Sequence, residues 1–183
     1  MSAQEFTLYS GAAKGAEAAF GAAAERYGVT EVNYTFEGHA DTRTRGRHVM
    51  TEAELRQGRV SLAYVGKIMN RVFKNTPAFQ KILAGIWHQV NSGAEVFCVG
   101  WIKDDGTVKG GTGWGAEFAK LCNKPLFVFD QDKTAWFKWE ETSWTPVSEP
   151  VISSKNFTGT GTRLLNEAGQ AAIDALFVRS FES

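Results

Sequence analysis

The chain has 183 residues, 43% of them apolar, with thirteen Phe and six Trp, enough for one well-filled core without a second domain. Twenty basic and twenty acidic residues cancel, so no global field recruits nucleic acid or an anionic membrane, and only a local basic patch is compatible with that balance. No apolar run approaches the ~20 residues of a membrane span, and residues 1–5 lack a signal peptide's charged and apolar segments, so a soluble, unexported, cytoplasmic protein is expected.

Phe6 to Ser10 predicts a first strand, and Gly15 to Tyr27 an Ala-rich helix ended by Gly28. Val32 to Phe36 alternates in strand fashion and completes a strand–helix–strand unit. Residues 37 to 50 are polar and dense in cations; in a parallel sheet this loop leaves on the ligand side. Thr51 and Glu54 form a capping box, and helical patterning runs on, broken at Gly58, to about Phe73. A further helix is expected from Thr76 or Pro77 to Val90, with Phe79, Ile82, Leu83, Ile86 and Val90 on one face.

Glu95 to Gly100 is a continuous apolar run of strand length. It leads through Gly110-Gly111-Thr112-Gly113-Trp114-Gly115-Ala116-Glu117 into a helix expected from Trp114 to Leu121, and Leu126 to Asp130 follows as a second buried strand. The glycines permit positive φ and close approach to a bound group, and the first-turn N–H groups of the helix point at it with the positive end of the helix dipole. The alternative is a tight turn alone, for which four glycines in six positions are more than needed. Trp136 to Trp139 and Trp144 to Val147 predict a β-hairpin extending the sheet, and Arg163 to Phe181 a final helix with Leu164, Leu165, Ala168, Ala172, Leu176 and Phe177 on its apolar side. The fold class expected is α/β, a Rossmann-like three-layer sandwich with a mainly parallel sheet and a C-terminal β-hairpin extension. Cys98 and Cys122 have no metal or redox spacing and read as reduced core residues.

The glycine run resembles the PGGxGTxxE signature of the LOG and lysine decarboxylase-like proteins, within the SLOG superfamily of Rossmann-like nucleotide binders. Gly110, Gly111, Gly113 and Glu117 match it, while Lys109 stands for its proline and Trp114 for its threonine. Ser10-Gly11-Ala12-Ala13-Lys14-Gly15-Ala16-Glu17 is similar to the SGGAxGxD turn opening SLOG and DprA-type domains. Phe157 to Arg163 resembles the glycine-rich turn before the last helix in a branch of the superfamily common in tailed-phage genomes.

The resemblance implies a site in which Glu117 helps cleave an N-glycosidic bond, with Arg71 as the arginine that accompanies it; the plain reading of Glu117 is a first-turn glutamate favoured by the helix dipole. Trp114 offers a flat surface on which a base can stack, or else packs between helix and sheet. Ser10, Gly11 and Lys14 are donors for a phosphate or ribose, as are Gly110, Gly111, Thr112 and Gly113 in the central run. Thr160, Gly161, Thr162 and Arg163 supply a third donor-rich turn. His39, Arg43, Arg45 and Arg47 close over a polyanion or form a solvated loop. No metal-binding spacing and no GxGxxG after the first strand occur, so neither a metal nor a cofactor is expected.

Three functions follow as expectations. The first is a binder that sequesters a nucleotide-derived small molecule, such as an ADP-ribose-like or cyclic nucleotide signal, in a phage counter-defence role. The second is a LOG-like phosphoribohydrolase acting on nucleoside monophosphates. A DprA-like nucleic-acid binder is disfavoured by the balanced charge. The resemblance also implies homo-oligomers, paired through the helix holding Ile82, Ile86 and Val90 or through the Trp-rich hairpin.

Overall fold

The computed structural model describes residues 2–72 and 76–182. Thr7–Ser10 (β1), Ala16–Tyr27 (α1) and Thr30–Thr35 (β2) form the expected strand–helix–strand unit. β1 and β2 run parallel with Thr7 opposite Thr30, and α1 ends at Gly28, whose N–H bonds back to Ala24 and Glu25. Arg47–Val49 (β3) adds a strand parallel to β2. Its three partly or fully exposed residues carry too little apolar pattern to be read as a strand.

Thr51 caps Glu52–Gln57 (α2) with both arms of the capping box in place. The helical stretch broken at Gly58 becomes two short helices, α2 and Leu62–Ile68 (α3), and its expected end at Phe73 lies outside the described residues. Pro77–Ser92 (α4) has proline in its first turn, where the missing N–H costs no hydrogen bond.

Glu95–Gly100 (β4), Gly110–Leu121 (α5) and Leu126–Asp130 (β5) make a second parallel crossover, with α5 beginning at Gly110 rather than Trp114. Ala135–Glu140 (β6) and Ser143–Val147 (β7) form the expected antiparallel hairpin on β5. The segment from Phe157, expected as a turn, is instead the strand Asn156–Gly161 (β8), inserted between β1 and β4. Its small residues reflect what packs on it, because a Cβ at Gly159 would lie 2.5 Å from the Phe20 ring. The last helix, Glu167–Phe181 (α6), starts after Leu164, which is exposed rather than on its apolar side.

The sheet order is β3-β2-β1-β8-β4-β5-β6-β7; the strands from β3 to β5 are parallel and the hairpin closes one edge antiparallel. Alternation along β4 sends Phe97 and Val99 to one face, against α1 and α6, and Val96 and Cys98 to the other, against α4 and α5. This is an α/β, Rossmann-like three-layer fold. Burial pushes the Cys98 thiol up to about 12, whereas Cys122 is exposed at the end of α5 and is not a core residue. Of the residues expected to pair subunits, Ile86 and Val90 are buried within the chain and Ile82, Trp139 and Trp144 are half-buried; Trp144 Nε1 donates to the Gly106 carbonyl at 2.8 Å, and Lys120 Nζ sits 3.7 Å over the Trp139 ring. Among the described residues no helix is long and apolar enough to cross a membrane.

Candidate functional site

The chain moves outward from β1 to β2 and β3 on one side and places β4 and β5 on the other, with β8 filling the gap. Ligand crevices form at the carboxyl ends of strands where the order reverses in this way. A cavity of about 390 Å³ lies there. Its long wall is α4, which contributes Phe79, Ile82, Ile86 and Gln89 over eleven residues, about 15 Å of helix. Tyr34 and Phe36 from the end of β2 and Trp101 from beyond β4 add aromatic surface.

One side of the cavity suits an anion. Gly110, Gly111 and Thr112 line it at the start of α5, where no side chain caps the helix and Gly110 takes φ +70°. Three cations line the same cavity, Lys109 immediately before this turn. Lys109 lies 5.2 Å over the Trp101 ring, Lys81 5.8 Å over the Phe36 ring, and Arg163 follows β8. Among the described residues none of the three is ion-paired with a carboxylate. Cations left unpaired beside open helix N–H groups attract phosphate or carboxylate from solution.

The opposite side carries acceptors. Glu17, in the first turn of α1, is 7% exposed; its Oε2 accepts from the Ala13 N–H at 3.0 Å, and its Oε1 from the Thr160 hydroxyl at 3.0 Å and the Gln89 amide at 3.2 Å. Burial raises its carboxyl above the ordinary value of 4.5, against the opposing pull of those hydrogen bonds and the Arg163 charge. The native state therefore holds this proton more tightly than the unfolded chain does. Stability from this group is complete below the unfolded value and lost as pH rises through the raised native one. Urea midpoints should accordingly fall across that window in the unaltered protein, and the Glu17→Gln variant should lack this component of the slope. His39, also in the lining, accepts from or donates to the Thr35 hydroxyl at 3.0 Å, and burial lowers its pKa, so it is neutral at pH 7.

Gly11, His39, Gly110, Gly111 and Thr112 are thus brought together with Gly161, Thr162 and Arg163 around one cavity. Other residues singled out from the sequence lie elsewhere. Ser10 is buried and its Oγ donates to the Gly159 carbonyl at 2.7 Å, tying β1 to β8, while Lys14 is exposed outside the cavity. Thr160 is committed to Glu17, and Gly113 is buried inside α5. Trp114 is fully buried and stacks on Phe118 at 5.6 Å, so it presents no face to a ligand. Glu117 is buried away from the cavity and paired with Lys120 at 2.6 Å. Arg71 follows α3 and donates to the Val108 carbonyl at 2.9 Å and the Thr107 hydroxyl at 2.6 Å, bracing the loop that enters the glycine run.

The cationic loop is neutralised from within. Arg43 pairs with Glu25 at 2.8 Å and Glu31 at 3.0 Å, Arg45 with the same buried Glu31 at 2.5 Å, and Arg47 with Asp41 at 2.9 Å. None of the three lines the cavity. Replacing Arg43 by Ala should lower stability by about 1.5–3 kcal/mol, because the buried Glu31 loses a charged partner. Nucleotide affinity should change by less than about threefold, which calorimetric titration beside a urea melt will register.

Motif reading does not single out Gln89, Lys81 or Trp101. Glu17 holds the acidic position of the N-terminal turn motif, a signal that pointed to it. Gln89 lies one turn beyond Ile86 on an ordinary helix face, where nothing in the sequence distinguishes it. Compared with protein-family models, with curated proteins and with solved structures, the chain gives no match.

Proposed function

We propose that the protein binds and sequesters a nucleotide-derived small molecule of the ADP-ribose or cyclic nucleotide kind, a role that suits counter-defence in a phage. The observation that carries this reading is the open start of α5 in an aromatic-walled cavity at the strand-order reversal, lined by three cations that are not ion-paired with a carboxylate among the described residues. Trp101, Tyr34 and Phe36 take over the base-stacking role expected of Trp114. Glu117 lies outside this cavity and is held by Lys120, which leaves the phosphoribohydrolase reading without its carboxylate at the ligand. The balanced charge and the internal pairing of the arginine loop likewise favour a small ligand over nucleic acid.

Native mass spectrometry of protein purified from cells, followed by denaturation and identification of released small molecules, tests the proposal. Calorimetry with ADP-ribose, its cyclic isomers and cyclic dinucleotides completes it. An intact nucleotide recovered in proportion to subunits is the expected result. No bound nucleotide and no titration at micromolar protein would overturn it, and release of free base from nucleoside monophosphates would reinstate the hydrolase.

A further inference from the structure

The cavity is chemically divided. On the α5 side, Gly111 lies against α4 at Leu83 and Ile86, where a Cβ would meet their side chains at 4.0 and 3.9 Å. Gly11, at the end of β1, lies against Gln89, one turn farther along the same helix, where a Cβ would fall 2.5 Å from Nε2. The two sides are therefore offset along α4 by the three to six residues from Ile86 or Leu83 to Gln89, ~5–9 Å. The first offers N–H groups and Lys109; the second offers Glu17 and Gln89, with Arg163 close enough for its charge to act on Glu17.

Gln89 is 2% exposed and its side chain is held in one sense. Nε2 donates to Glu17 Oε1, whose carboxylate is itself fixed by Thr160 and Ala13, while Gln89 Oε1 is buried with no hydrogen-bond partner. A buried acceptor without a donor is costly and is satisfied by whatever donor enters beside it. A phosphate dianion has no donor to give to Gln89 Oε1, so it belongs at the N–H groups of α5. The group that fits the Gln89 side is an uncharged donor ~5–9 Å from the phosphate, and the hydroxyls of a 5′-phosphorylated pentose have that chemistry and reach.

We infer that Gln89 is a specificity-determining residue that accepts a hydrogen bond from a ribose hydroxyl of the ligand, with Glu17 as the positioning residue that sets its amide, so that the cavity selects a nucleotide carrying that hydroxyl over the analogue lacking it. This rests on the nucleotide reading above. Glu17, Thr160, His39 and Arg163 are the other polar groups around Gln89's end of the cavity, and of these only Arg163 is a fixed cation.

The test is calorimetric titration of the unaltered protein with AMP, 2′-deoxy-AMP, 3′-deoxy-AMP and IMP, which needs no variant to fold. Loss of one hydroxyl is expected to weaken binding about tenfold, and IMP to bind as AMP does. The Gln89→Met variant, checked by its thermal midpoint, should bind AMP and the deoxy analogue equally. If both deoxy analogues bind as tightly as AMP, the inference is overturned while the nucleotide reading stands. Weaker binding of IMP with no deoxy effect assigns the donor to the base amine and also overturns it. If none of the four binds, this inference fails, and the nucleotide reading fails with it only if ADP-ribose and the cyclic dinucleotides do not titrate either.

Discussion

The Lys109→Ala/Arg163→Ala double variant is expected to bind nucleotides at least about 100-fold more weakly than the unaltered protein, with little change in thermal midpoint. A hydrogen bond to a charged group contributes about 1.5–3 kcal/mol, so two lost contacts exceed the ~2.7 kcal/mol that a hundredfold change represents. Stability is spared because neither cation has an ion-paired carboxylate to leave orphaned; Lys109 forfeits only its contact over Trp101, about 0.5–1 kcal/mol. Lys14→Ala, an exposed lysine outside the cavity, is the matched control and should leave affinity unchanged. Titrations of the three proteins with ADP-ribose decide the matter. A drop of less than about threefold in the double variant would place the phosphate elsewhere than at the start of α5.

Gly113→Ala should cost about 3 kcal/mol or more, and with it the ligand site. A Cβ at this position would lie 1.8 Å from the Val108 carbonyl oxygen and 2.9 Å from Met69 Cε. The first is backbone and no rotamer change relieves it. Nor can the loop retreat, since Arg71 grips both the Val108 carbonyl and the Thr107 hydroxyl, and the Lys109 N–H bonds to Trp101 at 2.9 Å. Gly111→Ala makes the contrasting case: its nearest neighbours would stand at 3.9 and 4.0 Å, ordinary contact, yet the methyl is placed on a residue that lines the cavity. Urea melts and titrations run on both variants should separate them, Gly113→Ala losing stability and Gly111→Ala losing affinity alone.

That contrast shows how much of the site was legible in the residues. A glycine run before a helix announces a close approach, but Gly111 and Gly113 are two positions apart and identical in a motif, and only the path of the preceding loop separates the ligand-facing one from the one pressed on backbone. The arginine loop makes the same point through charge. Arg43, Arg45 and Arg47 read as a polyanion clamp because their carboxylate partners Glu25, Glu31 and Asp41 are dispersed along the chain, and folding brings these together.

By itself the sequence determined the local and periodic features: the first strand–helix–strand unit, the capping box at Thr51, the apolar face of α4, the all-buried β4 and the Trp-rich hairpin. These rest on hydrogen bonds and side-chain spacing within a few residues, which a linear pattern records. The tertiary structure decided the rest. It made a strand of the glycine-rich segment at Asn156–Gly161 because Phe20 and Leu8 need room there, and it sent Trp114 and Glu117 inward, away from the cavity. It also set Glu17 of α1, Gln89 of α4 and Thr160 of β8 in one hydrogen-bonded group, though up to 143 residues separate them. Burial and hydrogen-bond satisfaction are properties of that assembled interior, summed over segments distant in the chain, so no stretch of residues read alone contains them.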